Sequence, residues 1–304
     1  MLEAVEAPRG EVVEREMPGL GLLRFEDLPA GAWLTQKGEP AKKPRRRYLL
    51  NGRELDSVSS IVGTLSKEAL VNWAEDHGAR GAVLAERRGL LEGVPEDEIV
   101  DKVRELRLGA GAVKREAADR GKVIHSVLER LATTGESTNP ATLPEGARPW
   151  ARGAAQAWVD LGMVQTSCLT EVMVCNPVQG YAGRFDLYGR RKNGKTALVD
   201  WKTGRGKVFD QAHYQTRGYV EALASAELDP PDQILIVGID DKGNAELIEC
   251  ETTAEDWAAL VHTFHSRKRA NAGMAEQRKA IRRAKKLAEK DAAKRAAEAL
   301  GAAA

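Results

Sequence analysis

A change of hydrophobic period near residue 165 limits the fold of this chain more than any other feature. Upstream, Ile124, Val127, Leu128 and Leu131 recur at the three-to-four-residue spacing of a helix that buries one face. Downstream, residues 169–175, 183–188 and 196–201 alternate with the period of two that belongs to strands. Strands and amphipathic helices in one chain must bury their apolar faces against each other, so the class is α/β. The spacing predicts helices over about 113–133, 151–161 and 210–226, the latter following the third strand. Further strands are expected over 234–239 and 246–250, and Thr253 opens a last helix. The order helix, three strands, helix, strand forms a compact unit, with residues 190–195 as a hairpin turn between two of its strands.

Around this unit, residues 113–266, three other segments are expected. Residues 1–47, with scattered Pro and Gly and mixed charge, read as an N-terminal arm. Residues 48–112 read as a helical elaboration, opened by a strand at Tyr48-Leu49-Leu50 that turns at Asn51-Gly52. Ser59 or Ser60 is the expected cap of its first helix, with breaks near Gly89 and Gly93-Val94-Pro95. Residues 267–304 read as a basic, Ala-rich helical tail, interrupted at Gly273.

Composition excludes several classes. With 304 residues and 42% hydrophobic content the chain can bury an ordinary core. No apolar run approaches the roughly 20 residues of a membrane helix, and the acidic first twenty residues lack a signal pattern. Three scattered cysteines, Cys168, Cys175 and Cys250, make neither a disulfide framework nor a four-thiolate cluster. A cytoplasmic protein without membrane contact is expected. The formal charge of +1 conceals a balance of +8 from Arg267 onward against −7 before it, and a second basic run occupies residues 42–47. Such clusters suit a polyanion, although a solvated face explains a charge run taken alone.

The residues with chemical potential gather on the middle strands. Asp186 and Asp200 lie on neighbouring strands of one hairpin, so their carboxylates can converge at one end of the sheet. Lys202, two residues beyond Asp200, shares its face. Two hard carboxylates hold Mg²⁺ or Mn²⁺, and an ammonium beside them orients or helps deprotonate water. His125 flanks the apolar stripe of its helix and is directed toward the sheet, where imidazole is a legitimate extra ligand. Gln215 and Tyr219 share one helix face and suit a nucleotide backbone and base. Each feature alone has a plain structural explanation: an exposed hairpin, a packing histidine, a surface glutamine.

In order and spacing, Gly-x-x-x-His at 121–125, Gly-x-x-Asp at 183–186, Asp-x-Lys at 200–202 and Gln-x-x-x-Tyr at 215–219 resemble the RecB-like PD-(D/E)XK nucleases. That group includes the nuclease domains of recombination helicases, the CRISPR adaptation nucleases and many phage exonucleases. The resemblance covers about residues 113–250 and implies a restriction-endonuclease-like core with a mixed sheet. It implies His125, Asp186, Asp200 and the Trp201 backbone carbonyl as metal ligands, Lys202 serving the water, and Gln215, Tyr219 and Arg184 on DNA. Glu171, on the preceding strand, is an additional acidic candidate. The cofactor implied is Mg²⁺ or Mn²⁺; the iron–sulfur cysteines of several relatives are missing. The activity implied is metal-dependent DNA hydrolysis, as an exonuclease in recombination, repair or phage DNA metabolism. DNA is the expected partner, with a strand-annealing or recombination protein as a further candidate. A non-catalytic DNA-binding protein on the same fold is the alternative.

Residues 189–196 also satisfy the P-loop pattern letter for letter. A P-loop needs a helix after it, whereas Ala197-Leu198-Val199 is strand-like, so a basic hairpin turn is expected there.

Overall fold

The computed structural model describes residues 10–33, 39–65, 68–204 and 208–301; the first nine residues of the expected arm and the last three of the expected tail lie outside them. The chain opens with an antiparallel pair, β1 (Glu11–Met17) and β2 (Gly21–Leu28), followed by β3 (Arg45–Leu50) and β4 (Arg53–Ser57). The segment read as an arm is therefore sheet over much of its length. Charges that weaken a strand pattern are paired across it: Arg24 reaches Glu14 at 3.3 Å, and Arg24, Arg45 and Arg47 surround the buried Glu26. Burial opposes the Glu26 charge, but the Arg47 hydrogen bond and its neighbouring arginines outweigh it and hold the carboxyl below its ordinary range. Two arginines of the basic run at 42–47 thus face inward to a carboxylate. Strand alternation sends Arg46 to the other face, beside Phe25.

Asn51 and Gly52 both take positive φ, 49° and 80°, as a two-residue hairpin requires. The next helix, α1 (Val58–Val62), is capped by Ser57, whose Oγ accepts the Ser60 N–H at 3.0 Å. The cap thus lies before the two serines expected from sequence, because the strand ends earlier. Helices α2 (Glu68–Arg87) and α3 (Ile99–Glu105) share a small core of Ala85, Leu91 and Val103. α4 (Ala110–Thr134) ends at Gly135 in the left-handed conformation, and α5 (Arg148–Leu161) follows.

The middle of the chain follows the expected order: β5 (Leu169–Asn176), β6 (Tyr181–Arg190), β7 (Thr196–Thr203), α6 (Asp210–Val220), β8 (Gln233–Ile239) and β9 (Ala245–Glu249). The sheet is mixed. Its path is β1-β2-β3-β4-β6-β7-β8-β9 with β5 paired to β6, and the β4–β6 and β7–β8 pairs are parallel. Residues 190–196 run from strand through turn to strand, so the P-loop pattern has no helix behind it. Ile124, Val127, Leu128 and Leu131 of α4 pack with Trp150 and Leu161 of α5 on Leu187, Val199 and Val237. The stripe read from the sequence is this core. A helix α7 (Ala254–Gly301) runs through Gly273 without the expected break. The chain divides into two compact units, Met1–Trp257 and Ala258–Ala304.

One glycine fixes the distance between α6 and the sheet. A Cβ at Gly183 would lie 2.6 Å from Tyr219 Cε1 and 3.0 Å from Val58 Cγ2. Gly183→Ala is expected to lower stability by about 2 kcal/mol through overpacking, measured as a lower urea midpoint with unchanged slope.

Candidate metal centre and active site

β6 creates the site by losing a neighbour. On one edge it pairs with β5 from Tyr181 to Tyr188. On the other it pairs with β4 only at Tyr181 and Ala182, and with β7 only from Leu187 to Arg190. Between these two ladders residues 183–186 have no strand partner on that edge among the described residues, and a fork opens. Asp186 stands at its base. The Trp201 N–H, which would continue the ladder, instead donates to Asp186 Oδ2 at 2.7 Å. N–H and C=O of one residue leave an extended strand on the same edge, so the Trp201 carbonyl faces the fork as well.

Three elements deliver ligand-type atoms to this point. His125 of α4, Glu171 of β5 and Asp186 of β6 bring one donor atom each within 4.8 Å of one another. His125 Nδ1 is 3.5 Å from Asp186 Oδ1 and 3.8 Å from Glu171 Oε1. Glu171 has φ of +52°, in the left-handed region although it lies within a strand. For a residue other than glycine that conformation costs about 1–3 kcal/mol and tends to mark sites where position matters. It also removes Glu171 from the β5–β6 ladder, which registers Thr170 and Val172 but not the residue between them.

Asp200 and Lys202 lie beside this cluster on β7. Asp200 is fully buried, its Oδ2 forms an ion pair with the Lys202 ammonium, and its Oδ1 accepts no hydrogen bond among the described residues. A buried carboxylate oxygen without a donor is costly. A cation is the ordinary remedy, and the hard oxygen and imidazole donors present suit Mg²⁺ or Mn²⁺. On these grounds the residues fit the metal that the sequence led one to expect.

Electrostatics point the same way. Burial and the like charge of Asp200 push Asp186 up to about 7, against the opposing pull of His125 and Lys202. Added positive charge at this point would favour the ionised form of Asp186. Burial opposes a charge on His125, yet Glu171 and Asp186 beside it raise its pKa. Burial likewise opposes the Lys202 ammonium, but Asp200 and Asp186 raise its pKa above the ordinary value. The Lys202 ammonium is thus favoured by the carboxylates beside it.

The site opens into a cleft of about 600 Å³ lined by Arg46, Ser59, Lys122, Arg184, Gln215 and Tyr219, among others. Tyr219 is only 6% exposed, its ring pressed on Gly183 and its hydroxyl accepting from Gln215 Nε2 at 2.7 Å. The pair meets the cleft as one hydrogen-bonded unit. Arg184 contacts Glu171 at 2.8 Å and Glu11 at 2.9 Å. All the residues singled out in the sequence lie at or around the fork. Glu171, an additional candidate by sequence, stands among the three clustered donors, while Asp200 stands outside that cluster beside Lys202. Glu11 gave no signal in the sequence, because nothing local ties it to a strand 173 residues away.

A family model described as the PD-(D/E)XK nuclease superfamily matches residues 100–301. No curated protein matches the chain. A solved structure titled "Crystal structure of SSO0001" is 17% identical, covering 68% of this chain and 71% of that one with a TM-score of 0.30.

Proposed function

From the premise that this chain belongs to the PD-(D/E)XK nuclease superfamily, we propose that it is a divalent-metal-dependent exonuclease that hydrolyses DNA. The observation that carries this reading is the convergence of His125, Glu171 and Asp186 within 4.8 Å at the open edge of β6, with the unsatisfied Asp200 next to them. His125, Glu171, Asp186, Asp200 and the Trp201 carbonyl are the groups that would hold Mg²⁺ or Mn²⁺. When bound, such an ion acts as a Lewis acid on a phosphoryl oxygen and lowers the pKa of water.

The chain's own residues supply the rest. The Lys202 ammonium, held against Asp200, orients the attacking water and offsets negative charge developing on the phosphoryl oxygens. Asp200 keeps that ammonium aimed and charged. Gln215, tied to Tyr219, offers its remaining amide hydrogen-bonding capacity to the sugar-phosphate backbone. Lys122 lines the cleft and brings positive charge toward the strand; Arg184, the other cation expected on DNA, is already engaged by Glu171 and Glu11. The basic tail adds a sequence-independent anchor. Removing residues 267–304 is expected to flatten the salt dependence of DNA affinity by at least one unit in log–log slope, about one phosphate contact. Fluorescence anisotropy across a salt series measures it.

DNA metabolism in recombination, repair or phage replication, in the cytoplasm and with a strand-annealing partner, is the setting in which such an activity would serve. No helix among the described residues is long and apolar enough to cross a membrane. The decisive experiment incubates end-labelled linear DNA and closed circular DNA with Mg²⁺ or Mn²⁺. Degradation of the linear form alone supports an exonuclease. Cutting of circles shows endonuclease action, and binding of both forms without cleavage shows a DNA-binding protein instead.

A further inference from the structure

The Arg184 guanidinium is held from three directions, two of them supplied by the N-terminal hairpin. Its Nε lies 2.8 Å from Glu171 Oε2. Its Nη1 donates to Glu11 Oε1 of β1 at 2.9 Å, and its carbon sits 5.3 Å from the Phe25 ring centre of β2. Phe25 is wholly buried and packs on Tyr48 with ring centres 4.9 Å apart, so this wall is rigid. Glu171 completes the chain of contacts, because its other oxygen, Oε1, is the one that faces His125. Its left-handed backbone needs outside support to persist, and the Arg184 ion pair provides it.

We propose that Glu11 is a positioning residue for the metal site, acting through Arg184 on Glu171; this rests on the reading that His125, Glu171 and Asp186 hold a divalent cation. Two carboxylates share one guanidinium, so neither is fully neutralised. Glu171 is held in place yet keeps negative charge to offer a cation. Without Glu11, Arg184 turns its whole charge on Glu171, and a cation a few ångströms away is repelled. The N-terminal hairpin is thereby a working part of the site.

The test is calorimetric titration of the full chain with Mn²⁺, together with melting of the metal-free protein. Glu11→Gln keeps an oxygen acceptor and removes only the charge; it is expected to weaken Mn²⁺ binding about fivefold with little change in melting. Glu11→Ala should weaken it at least as much. In an Arg184→Met chain, adding Glu11→Gln should change the affinity less than about twofold, because the intermediary is gone. Unaltered Mn²⁺ affinity in Glu11→Gln overturns the proposal, as does a full fivefold loss persisting in Arg184→Met. A chain that melts lower on Glu11→Ala but binds Mn²⁺ normally shows a structural role alone. Failure of the wild-type chain to bind Mn²⁺ overturns the metal site itself, and this role with it.

Discussion

Asp186→Asn is expected to lower DNA cleavage by about 10³-fold or more, since it removes charge at the centre of the site's electrostatics. The same change should raise the stability of the metal-free protein. An asparagine oxygen can still accept the Trp201 N–H that Asp186 Oδ2 accepts at 2.7 Å. What disappears is a buried carboxyl pushed up to about 7 by burial and by Asp200. The sign follows from linkage: a group whose folded pKa lies above its unfolded value costs stability as pH rises, increasingly until pH passes the folded value. The melting advantage of Asp186→Asn over wild type, measured in chelator, should therefore grow from pH 5 to pH 8. Higher stability with lost cleavage is the pattern of a residue kept for function at a cost to the fold. A variant that cleaves DNA at the wild-type rate removes Asp186 from the mechanism.

Lys202→Met should reduce both cleavage and stability. Lys202 is the ion-pair partner of Asp200, which is fully buried with one oxygen unsatisfied. Stranding that carboxylate costs about 3 kcal/mol, the lower end for breaking a buried pair. For a unit of this size that corresponds to a melting point lower by roughly 6–12 °C. Cleavage should fall at least ~100-fold with the loss of the oriented ammonium. Adding Asp200→Asn to Lys202→Met separates the two effects: stability should largely return while cleavage stays absent. Recovery of cleavage in the double variant contradicts the role given to Lys202.

The sequence carried the middle of the fold well, for physical reasons that single residues display. The α4 stripe and the alternation of the later strands are strong periodic signals, and the core they predict is the core found. His125 was legible because it flanks that stripe. Asp186, Asp200 and Lys202 were legible because a hairpin brings their strands together. The fork at residues 183–186 was not, since ladder lengths depend on how β4 and β7 share one edge of β6. The hairpin of β1 and β2 was missed because Glu11, Glu14, Glu16, Arg24 and Glu26 mask its alternation. Glu11, Glu14 and Glu16 stay exposed, and the buried Glu26 is tolerated through arginines on its own and the next strand. The Glu171 backbone and the tie from Arg184 to Glu11 are likewise tertiary, joining the β5–β6 pair to a strand near the start of the chain.

The central claim is that His125, Glu171, Asp186 and Asp200 form one cation site at the fork. Anomalous diffraction from crystals soaked in Mn²⁺ tests it most directly. A peak in contact with the His125 ring and the Asp186 carboxylate, at the open edge of β6, is the predicted result. Anomalous peaks confined to other surfaces, with these side chains bare at saturating Mn²⁺, would contradict it.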